Sequence, residues 1–129
     1  MLTFAAPIII FMSLFMLVRA APVVTGTGDA TFYTPGLGAC GGINTEKDFI
    51  VAVSTQIFNG FPGAGANPNK NPICGKKLTA TSRGKKVTVK IVDQCPGCSR
   101  DSIDLSPAAF NTLADPATGR LHNVRWTIG

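Results

Sequence analysis

The stretch that decides the fold covers residues 85–110 and reads KKVTVKIVDQCPGCSRDSIDLSPAAF. It opens with apolar residues at every second position, Val87, Val89 and Ile91, which is the period of a half-buried strand. Continuing this alternation places Asp93 on the valine side. A carboxylate there must be paired, point out at a barrel mouth or have a raised pKa. The stretch therefore predicts a strand that ends in an acidic residue.

The chain then turns and returns through a second short apolar segment. The turn reads QCPGC, and in the returning segment SIDL the side chain of Asp104 lies between two apolar neighbours and so faces away from them. Ser106 and Pro107 follow as an N-cap and a first helical residue. Asp93 and Asp104, joined by a turn that two cysteines can cross-link, are the candidate chemical centre of this sequence. Either acid could equally serve as a backbone cap.

The N-terminus predicts a secretory signal peptide. An apolar run covers residues 5–18, and Val18-Arg19-Ala20 suits a cleavage site. We therefore expect residues 1–20 to be removed and the protein to be secreted and extracellular. A membrane anchor is the alternative, but the run is shorter than the ~20 residues that a span needs, so no membrane association is expected.

The rest of the chain suffices for one domain. We expect a linker over residues 21–28 and a single domain over residues 29–129. The formal net charge of +5 falls to +4 once Arg19 is removed, which favours anionic or neutral polymers such as cell-wall material, or serves solubility alone. Nucleic acid is not an expected partner, because the lysines form only two pairs without interleaved aromatic residues. A monomer is expected.

The four cysteines are Cys40, Cys74, Cys95 and Cys98. In an exported chain an even number predicts two disulfides, with three possible pairings. A zinc site would need two close pairs, and Cys40 and Cys74 are far apart in sequence. A redox role for CPGC would need a helix at its first cysteine, whereas the following residues continue as loop. No metal and no cofactor is expected.

Short apolar segments separated by Gly and Pro turns predict an all-β barrel or sandwich with one or two short helices. The first strand is expected over Gly28–Tyr33, and Ser82-Arg83-Gly84 predicts a hairpin turn. The loop Asn59–Pro72 is expected to be mobile and to border the site. In the last strand we expect four residues on one face, with the histidine as a structural residue at the barrel end: His122, Val124, Trp126 and Ile128.

Five short motifs follow one another along the chain: DATFY (29–33), GACG (38–41), CG (74–75), VDQC (92–95) and IDLS (103–106). In this order they resemble the double-psi β-barrel proteins, which include barwin, kiwellins, the first domain of expansins, rare-lipoprotein-A-like domains and family-45 glycoside hydrolases. The resemblance extends from Gly28 to the end of the sequence, and small secreted fungal expansin-like proteins of the loosenin type are similar. It implies a six-stranded double-psi β-barrel with an open groove that binds a polysaccharide strand of cellulose, hemicellulose, chitin or peptidoglycan.

The resemblance also implies roles for individual residues. Asp104 takes the position of the aspartate that expansins need for activity, and Asp93 lines the same groove, so these two are the candidate catalytic residues. Thr31 and Tyr33 match the substrate-binding positions of the first strand. The implied disulfides are Cys40–Cys74 and Cys95–Cys98.

Two departures bear on the activity. Family-45 hydrolases carry a second catalytic aspartate just after the first strand, where this sequence has no acid, and the second domain of expansins has no counterpart here. We therefore expect a non-hydrolytic polysaccharide-loosening protein with weak affinity. The alternatives are a glycan-cleaving enzyme of the lytic-transglycosylase kind that uses Asp104, and a kiwellin-like module that binds proteins through the loop Asn59–Pro72.

Overall fold

The computed structural model describes residues 2–14 and 23–129. Six strands and two short α-helices form a single barrel, which confirms the expected all-β architecture. Their bounds are β1 Val24–Phe32, β2 Ile50–Ser54, α1 Thr55–Gly60, β3 Lys77–Ser82, β4 Lys85–Cys95, β5 Ile103–Leu105, α2 Pro107–Leu113 and β6 Leu121–Ile128. Short 3-10 helices cover Pro68–Lys70 and Pro116–Thr118.

The six strands close into a barrel in the order β1-β5-β2-β4-β3-β6. The pairs β1/β5 and β2/β4 are parallel, and the remaining four pairs are antiparallel. Because every strand has a neighbour on both sides, the barrel has no open edge. The three-residue strand β5 lies between β1 and β2, so the residues around it come together from distant parts of the chain.

The barrel interior is filled by apolar side chains, of which Trp126, Phe58 and Phe110 are the largest fully buried ones. Gly26 on β1 makes room for the indole, since a Cβ there would lie 2.3 Å from the Trp126 ring. The ring of Phe110 on α2 packs against Phe32 with the centroids 4.8 Å apart. Trp126, which the sequence places on one face with Val124 and Ile128, thus belongs to the core.

Local sequence signals account for the hairpin and both α-helices. Arg83 and Gly84 have positive φ angles of 49° and 78°, as a two-residue type I′ turn requires, and they join β3 to β4. The side chain of Ser54 accepts a hydrogen bond from the backbone N–H of Ile57 at the start of α1. Ser106 caps α2 in the same way, with Pro107 as its first residue.

Both disulfides are present with the pairing that the resemblance implied. Cys40–Cys74 connects the loop after β1 to the segment before β3. Cys95–Cys98 closes a short loop at the end of β4.

The strand β1 starts earlier than expected, at Val24, inside the segment 21–28 that the sequence predicted as a linker. These residues pair with the end of β6, from Val24 opposite Ile128 to Gly28 opposite Val124. This extension has no local signal, because glycines and threonines alternate there without an apolar stripe. The predicted cleavage after Ala20 lies outside the described residues. Within 2–14 and 23–129 no helix has the length and apolarity to cross a membrane.

The prediction for the last strand was wrong at its first residue. Asn123 has a φ angle of 56°, which breaks the alternation, so Leu121 points into the barrel and His122 is exposed. Val124, Trp126 and Ile128 face the core as expected.

The loop Asn59–Pro72 is mostly exposed but is fixed at its end by a buried asparagine. The Asn71 amide donates to the Phe58 carbonyl oxygen at 2.7 Å, and its side-chain oxygen accepts from the Ile73 N–H at 3.0 Å. The side chain of Asn69 packs against Gly41, so the loop lies beside the glycine-rich segment after β1, residues 36–42.

Candidate functional site

Four residues on four adjacent strands form one row across the outside of the barrel. Thr31 on β1 is paired with Asp104 on β5, Asp104 with Ala52 on β2, and Ala52 with Asp93 on β4. Paired residues point to the same side of a sheet, and the neighbours of Asp104 along β5 point into the core. With strands about 4.8 Å apart, Asp93 and Asp104 lie roughly 10 Å apart at their Cα atoms. We call Thr31, Asp104, Ala52 and Asp93 the acidic row.

Asp93 does not continue the valine face, contrary to the strict alternation assumed from the sequence. The register of β2 and β4 passes from Val51 opposite Ile91 to Ala52 opposite Asp93, which leaves Val92 in a β-bulge. The extra residue resets the alternation and turns Asp93 to the outside of the barrel. The acid is therefore placed beside Asp104.

The carboxylate of Asp93 accepts three hydrogen bonds. The backbone N–H groups of Ala39 and Gln94 donate to Oδ1, each at 2.9 Å, and the Tyr33 hydroxyl donates to Oδ2 at 3.3 Å. The bond to Ala39 connects the end of β4 to the glycine-rich segment after β1. Asp93 thus holds this segment and the tyrosine in place.

The carboxyl group of Asp104 accepts fewer hydrogen bonds than that of Asp93. Its Oδ1 accepts one hydrogen bond from the Thr31 hydroxyl at 3.0 Å. Partial burial raises the pKa of Asp104, and the nearby charge of Asp93 adds to this, although the Thr31 bond and the charge of Arg120 act in the opposite direction. Asp104 therefore takes up a proton more readily than an exposed aspartate does, and its carboxyl group keeps acceptor positions that no protein donor occupies.

Tyr33 lies across the acidic row. Its backbone N–H donates to the Leu105 carbonyl at 3.0 Å beside β5, while its hydroxyl reaches Asp93 on β4. The phenol ring therefore bridges the intervening strand above Ala52. Burial and the charge of Asp93 raise the pKa of Tyr33, so the hydroxyl stays protonated. Thr31, Tyr33, Asp93 and Asp104, the four predicted site residues, are thus brought together.

A second polar group beside the row was not assigned from the sequence. Arg120 Nη1 donates to Asp29 Oδ2 at 3.0 Å, and His122 Nδ1 lies 2.9 Å from Asp29 Oδ1. The hydrogen bonds from His122 and from Arg120 lower the pKa of Asp29. Asp29 belongs to the DATFY motif, but Arg120 and His122 follow a distant turn, so only the fold brings them together.

The other border of the site is the loop closed by the Cys95–Cys98 disulfide. Two buried groups hold the residues that follow it: Ser54 Oγ donates to the Arg100 carbonyl at 2.8 Å, and Trp126 Nε1 donates to the Asp101 carbonyl at 2.8 Å. The indole thus joins the core to the loop. The disulfide closes the loop, and the two hydrogen bonds hold the residues that follow it.

The arrangement offers an aromatic ring, a hydroxyl and one available carboxyl group along an open surface, which are groups that bind sugar rings and their hydroxyls. Inverting glycoside hydrolysis needs a second carboxylate to activate water, roughly 6.5–9.5 Å from the first. The Asp93 carboxylate is occupied by three donors, so it is poorly suited to that step.

The sequence of the barrel matches a family model described as lytic transglycolase, of the double-psi β-barrel type, over residues 25–126. The chain belongs to this double-psi β-barrel family. Among its relatives are an EG45-like domain containing protein of Citrus jambhiri, which is 40% identical over 73% of this chain and 75% of its own, and the papain inhibitor of Streptomyces mobaraensis, which is 36% identical over 78% and 68%. An Asp f 7 allergen homologue of Arthroderma benhamiae is 34% identical over 78% of this chain but only 38% of its own.

Solved structures of the family have the same barrel. The Streptomyces papain inhibitor matches with a TM-score of 0.74 and 33% identity over 81% of this chain and 94% of its own. A mutant expansin of Clavibacter michiganensis, in complex with cellohexaose, matches with a TM-score of 0.66 and 27% identity over 82% of this chain. This chain spans half of that expansin. The expected resemblance is confirmed: one of the related structures is a complex with cellohexaose, and another relative is named a papain inhibitor.

Proposed function

We propose that this protein is a secreted, expansin-like protein that binds a cell-wall polysaccharide over the acidic row and loosens it without cleaving it. Asp104 makes hydrogen bonds to sugar hydroxyls, Thr31 orients the Asp104 carboxyl group, and the Tyr33 ring supports a pyranose. Asp93 acts as a positioning residue for Tyr33 and not as a catalytic base.

The observation that carries this proposal is the placement of Tyr33 across the row, between Asp104 and Asp93. A half-buried ring that is fixed at its backbone and at its hydroxyl presents a flat surface at little entropic cost. The Asp104 carboxyl group accepts only one hydrogen bond, from Thr31, so it has acceptor positions left for a sugar hydroxyl. The cellohexaose complex of the related expansin supports a β-glucan as a ligand.

The experiment is incubation of the mature protein with insoluble cellulose, xylan, chitin and peptidoglycan. The protein bound to each polymer is measured by pull-down, the strength of the polymer by fibre mechanics, and the sugars released into the supernatant by mass spectrometry. We expect binding to and weakening of one polymer without soluble sugars, and loss of both with Asp104→Asn. Asp115→Asn is the matched control, because Asp115 caps the exposed 3-10 helix Pro116–Thr118 and asparagine caps equally well.

The same supernatant tests the glycan-cleaving alternative. Asp104 would then protonate the glycosidic oxygen while a hydroxyl of the substrate attacks the anomeric carbon and returns a proton to the carboxylate, which forms an anhydro-sugar. Anhydro-sugars from peptidoglycan that disappear in Asp104→Asn would replace the non-cleaving proposal with this one.

A second candidate function is protein binding. The segment between β1 and β2 exposes Leu37 and Ile43 by 74% and 79%, and these residues form an isolated β-bridge. Cys40, between them, is tied to Cys74, so the exposed side chains are held on a fixed loop. The relative named papain inhibitor makes a papain-like protease the partner to test. Inhibition of papain that is lost with Leu37→Asp/Ile43→Asp would support it, and an unchanged papain rate at high protein concentration would rule it out.

A further inference from the structure

A cavity of about 440 Å³ opens beside the acidic row. It lies between Asp29, Thr31 and Arg120 on one side and the Cys95–Cys98 loop on the other, with Ser99 and Ser102 in its wall. Thr31 belongs to both the cavity and the row, so the two are continuous. The volume is in the range of small-molecule binding sites.

The cavity is displaced from the row by one step along the strands. Ser102 precedes Asp104 by two residues on the chain that forms β5, and Asp29 precedes Thr31 by two on β1. At the other end of the acidic row, on β4, Cys95 follows Asp93 by two residues and is paired with Ser54 on β2. Two residues of strand correspond to about 7 Å. A ligand that sits at Asp104 therefore needs only a short extension to enter the cavity.

The cavity walls offer both donors and acceptors. Ser99 Oγ and Ser102 Oγ lie 2.8 Å apart and hydrogen-bond to each other. Arg120 donates from Nη1 to Asp29, and a guanidinium has five N–H donors, so it can serve a ligand hydroxyl at the same time. The low pKa of Asp29 keeps its carboxylate an acceptor.

The wall is fixed before any ligand arrives. Asp101, next to Ser102, accepts the hydrogen bond of the Trp126 indole. Its carbonyl lies directly over β1, where a Cβ on Gly28 would come within 2.4 Å of the Asp101 oxygen. The disulfide closes the other end of the loop. Preformed walls of this kind reduce the ordering cost of binding.

The charges around the cavity are paired with one another. Arg120 is paired with Asp29, and Arg100 is paired with Asp101. A uronic acid in the cavity would bring its carboxylate next to Asp29, and the one cation among the lining residues, Arg120, is already paired with Asp29. An uncharged sugar meets alternating donors and acceptors instead.

We propose that this cavity is a second sugar-binding subsite, which takes an uncharged pyranose of the glycan next to the one held at Asp104. The inference rests on the proposed function. It names the substrate class as neutral glycans and assigns Asp29, Ser99, Ser102 and Arg120 as binding residues.

The test uses Ser99→Ala/Ser102→Ala in the mature protein. The two hydroxyls are bonded to each other, so removing both leaves neither partner unsatisfied in the wall. Dissociation constants are measured by isothermal titration calorimetry for cellohexaose, xylohexaose and N-acetylchitohexaose and for the matching disaccharides. We expect about a tenfold loss of affinity for the preferred hexasaccharide and an unchanged constant for its disaccharide.

The matched control is Thr79→Val/Thr88→Val, which removes another exposed, mutually bonded hydroxyl pair, on β3 and β4. An equal loss of affinity in the control overturns the subsite, and so does native affinity in the double-alanine variant. Tight binding of oligogalacturonate by the native protein overturns the restriction to neutral sugars. Binding of an insoluble polymer without binding of any hexasaccharide also overturns the subsite. If the native protein binds neither the hexasaccharides nor any of the insoluble polymers, the proposed function itself fails. Amide chemical shifts of Gly97 and Ser102 in the native protein give an independent measurement, and the subsite requires them to move with hexasaccharide.

Discussion

Asp93 and Asp104 lie in one cross-strand row, two strands apart, with Ala52 on the strand between them. Their environments differ in a way that divides their roles. Asp93 accepts hydrogen bonds from two backbone N–H groups and from Tyr33, whereas Asp104 accepts one from Thr31. One acid therefore organises the groove, and the other remains available to a ligand.

The first prediction concerns pH. The folded-state pKa of Asp104 lies above the ordinary value of 3.8, so the folded protein binds more protons than the unfolded chain between these two values. The free energy of unfolding therefore falls as the pH rises through this window. Asp104→Asn lacks this decrease, so its stability relative to the native protein should rise with pH. Urea unfolding followed by Trp126 fluorescence from about pH 3 to 7 measures the difference.

Asp29, with its lowered pKa, changes stability in the opposite direction, because its contribution is lost as the pH falls. Asp29 is present in both the native protein and Asp104→Asn, so its contribution to the free energy of unfolding cancels when the two are compared. A stability difference that does not vary with pH would contradict the assignment of a raised pKa to Asp104.

The second prediction separates the charge of Asp93 from its hydrogen bonds. Asp93→Asn keeps an oxygen that can accept from the Ala39 and Gln94 N–H groups, so we expect a small loss of stability. Asp93→Ala leaves these two partly buried N–H donors without an acceptor and should cost about 1–3 kcal/mol. Chemical denaturation compares the two variants. Equal losses would show that the charge, and not the hydrogen bonding, is what matters.

The third prediction concerns Tyr33 in glycan binding. Tyr33→Phe removes the bond to Asp93 but keeps the ring, so affinity for the preferred hexasaccharide should fall only about two- to fivefold. Tyr33→Ala removes the surface under the sugar and should weaken binding by a further factor of about ten. Calorimetry with the same ligand measures both. If the two variants bind equally well, the ring does not support a sugar.

The fourth prediction distinguishes the two disulfides. Cys40 and Cys74 are separated by 34 positions, and Cys95 and Cys98 by 3. The entropy of loop closure gives about 4 kcal/mol of stabilisation for the first and about 2 kcal/mol for the second. Cys40→Ala/Cys74→Ala should therefore cost more stability in urea unfolding than Cys95→Ala/Cys98→Ala. The latter pair should cost more hexasaccharide affinity, because its loop forms the cavity wall, and the reverse order of affinities would contradict this.

Much of the barrel could be predicted because its signals are local. The alternation of β4, the turn at Arg83-Gly84 and the Ser106-Pro107 helix start each depend on neighbouring residues. What escaped prediction depends on partners that are distant in sequence. β1 extends to Val24 because β6 pairs with it. The positive φ angle of Asn123 breaks the alternation of β6, so Leu121 and not His122 points into the core.

The same distinction holds for the site. Thr31, Tyr33, Asp93 and Asp104 were predicted from motif resemblance, and the structure brings them together. The bulge at Val92, which turns Asp93 outwards, arises from pairing with β2 and has no mark in the sequence of β4. Arg120 was missed because a lone arginine after a glycine turn resembles any solvated residue.

The strand order also determines when the protein can fold during its biogenesis. β6 is the last strand in sequence, yet it holds both β1 and β3. A nascent chain that has not yet released Leu121–Ile128 has two unpaired strand edges and no closed barrel, so it cannot complete its fold. The closed core therefore forms only after the last strand has been synthesised.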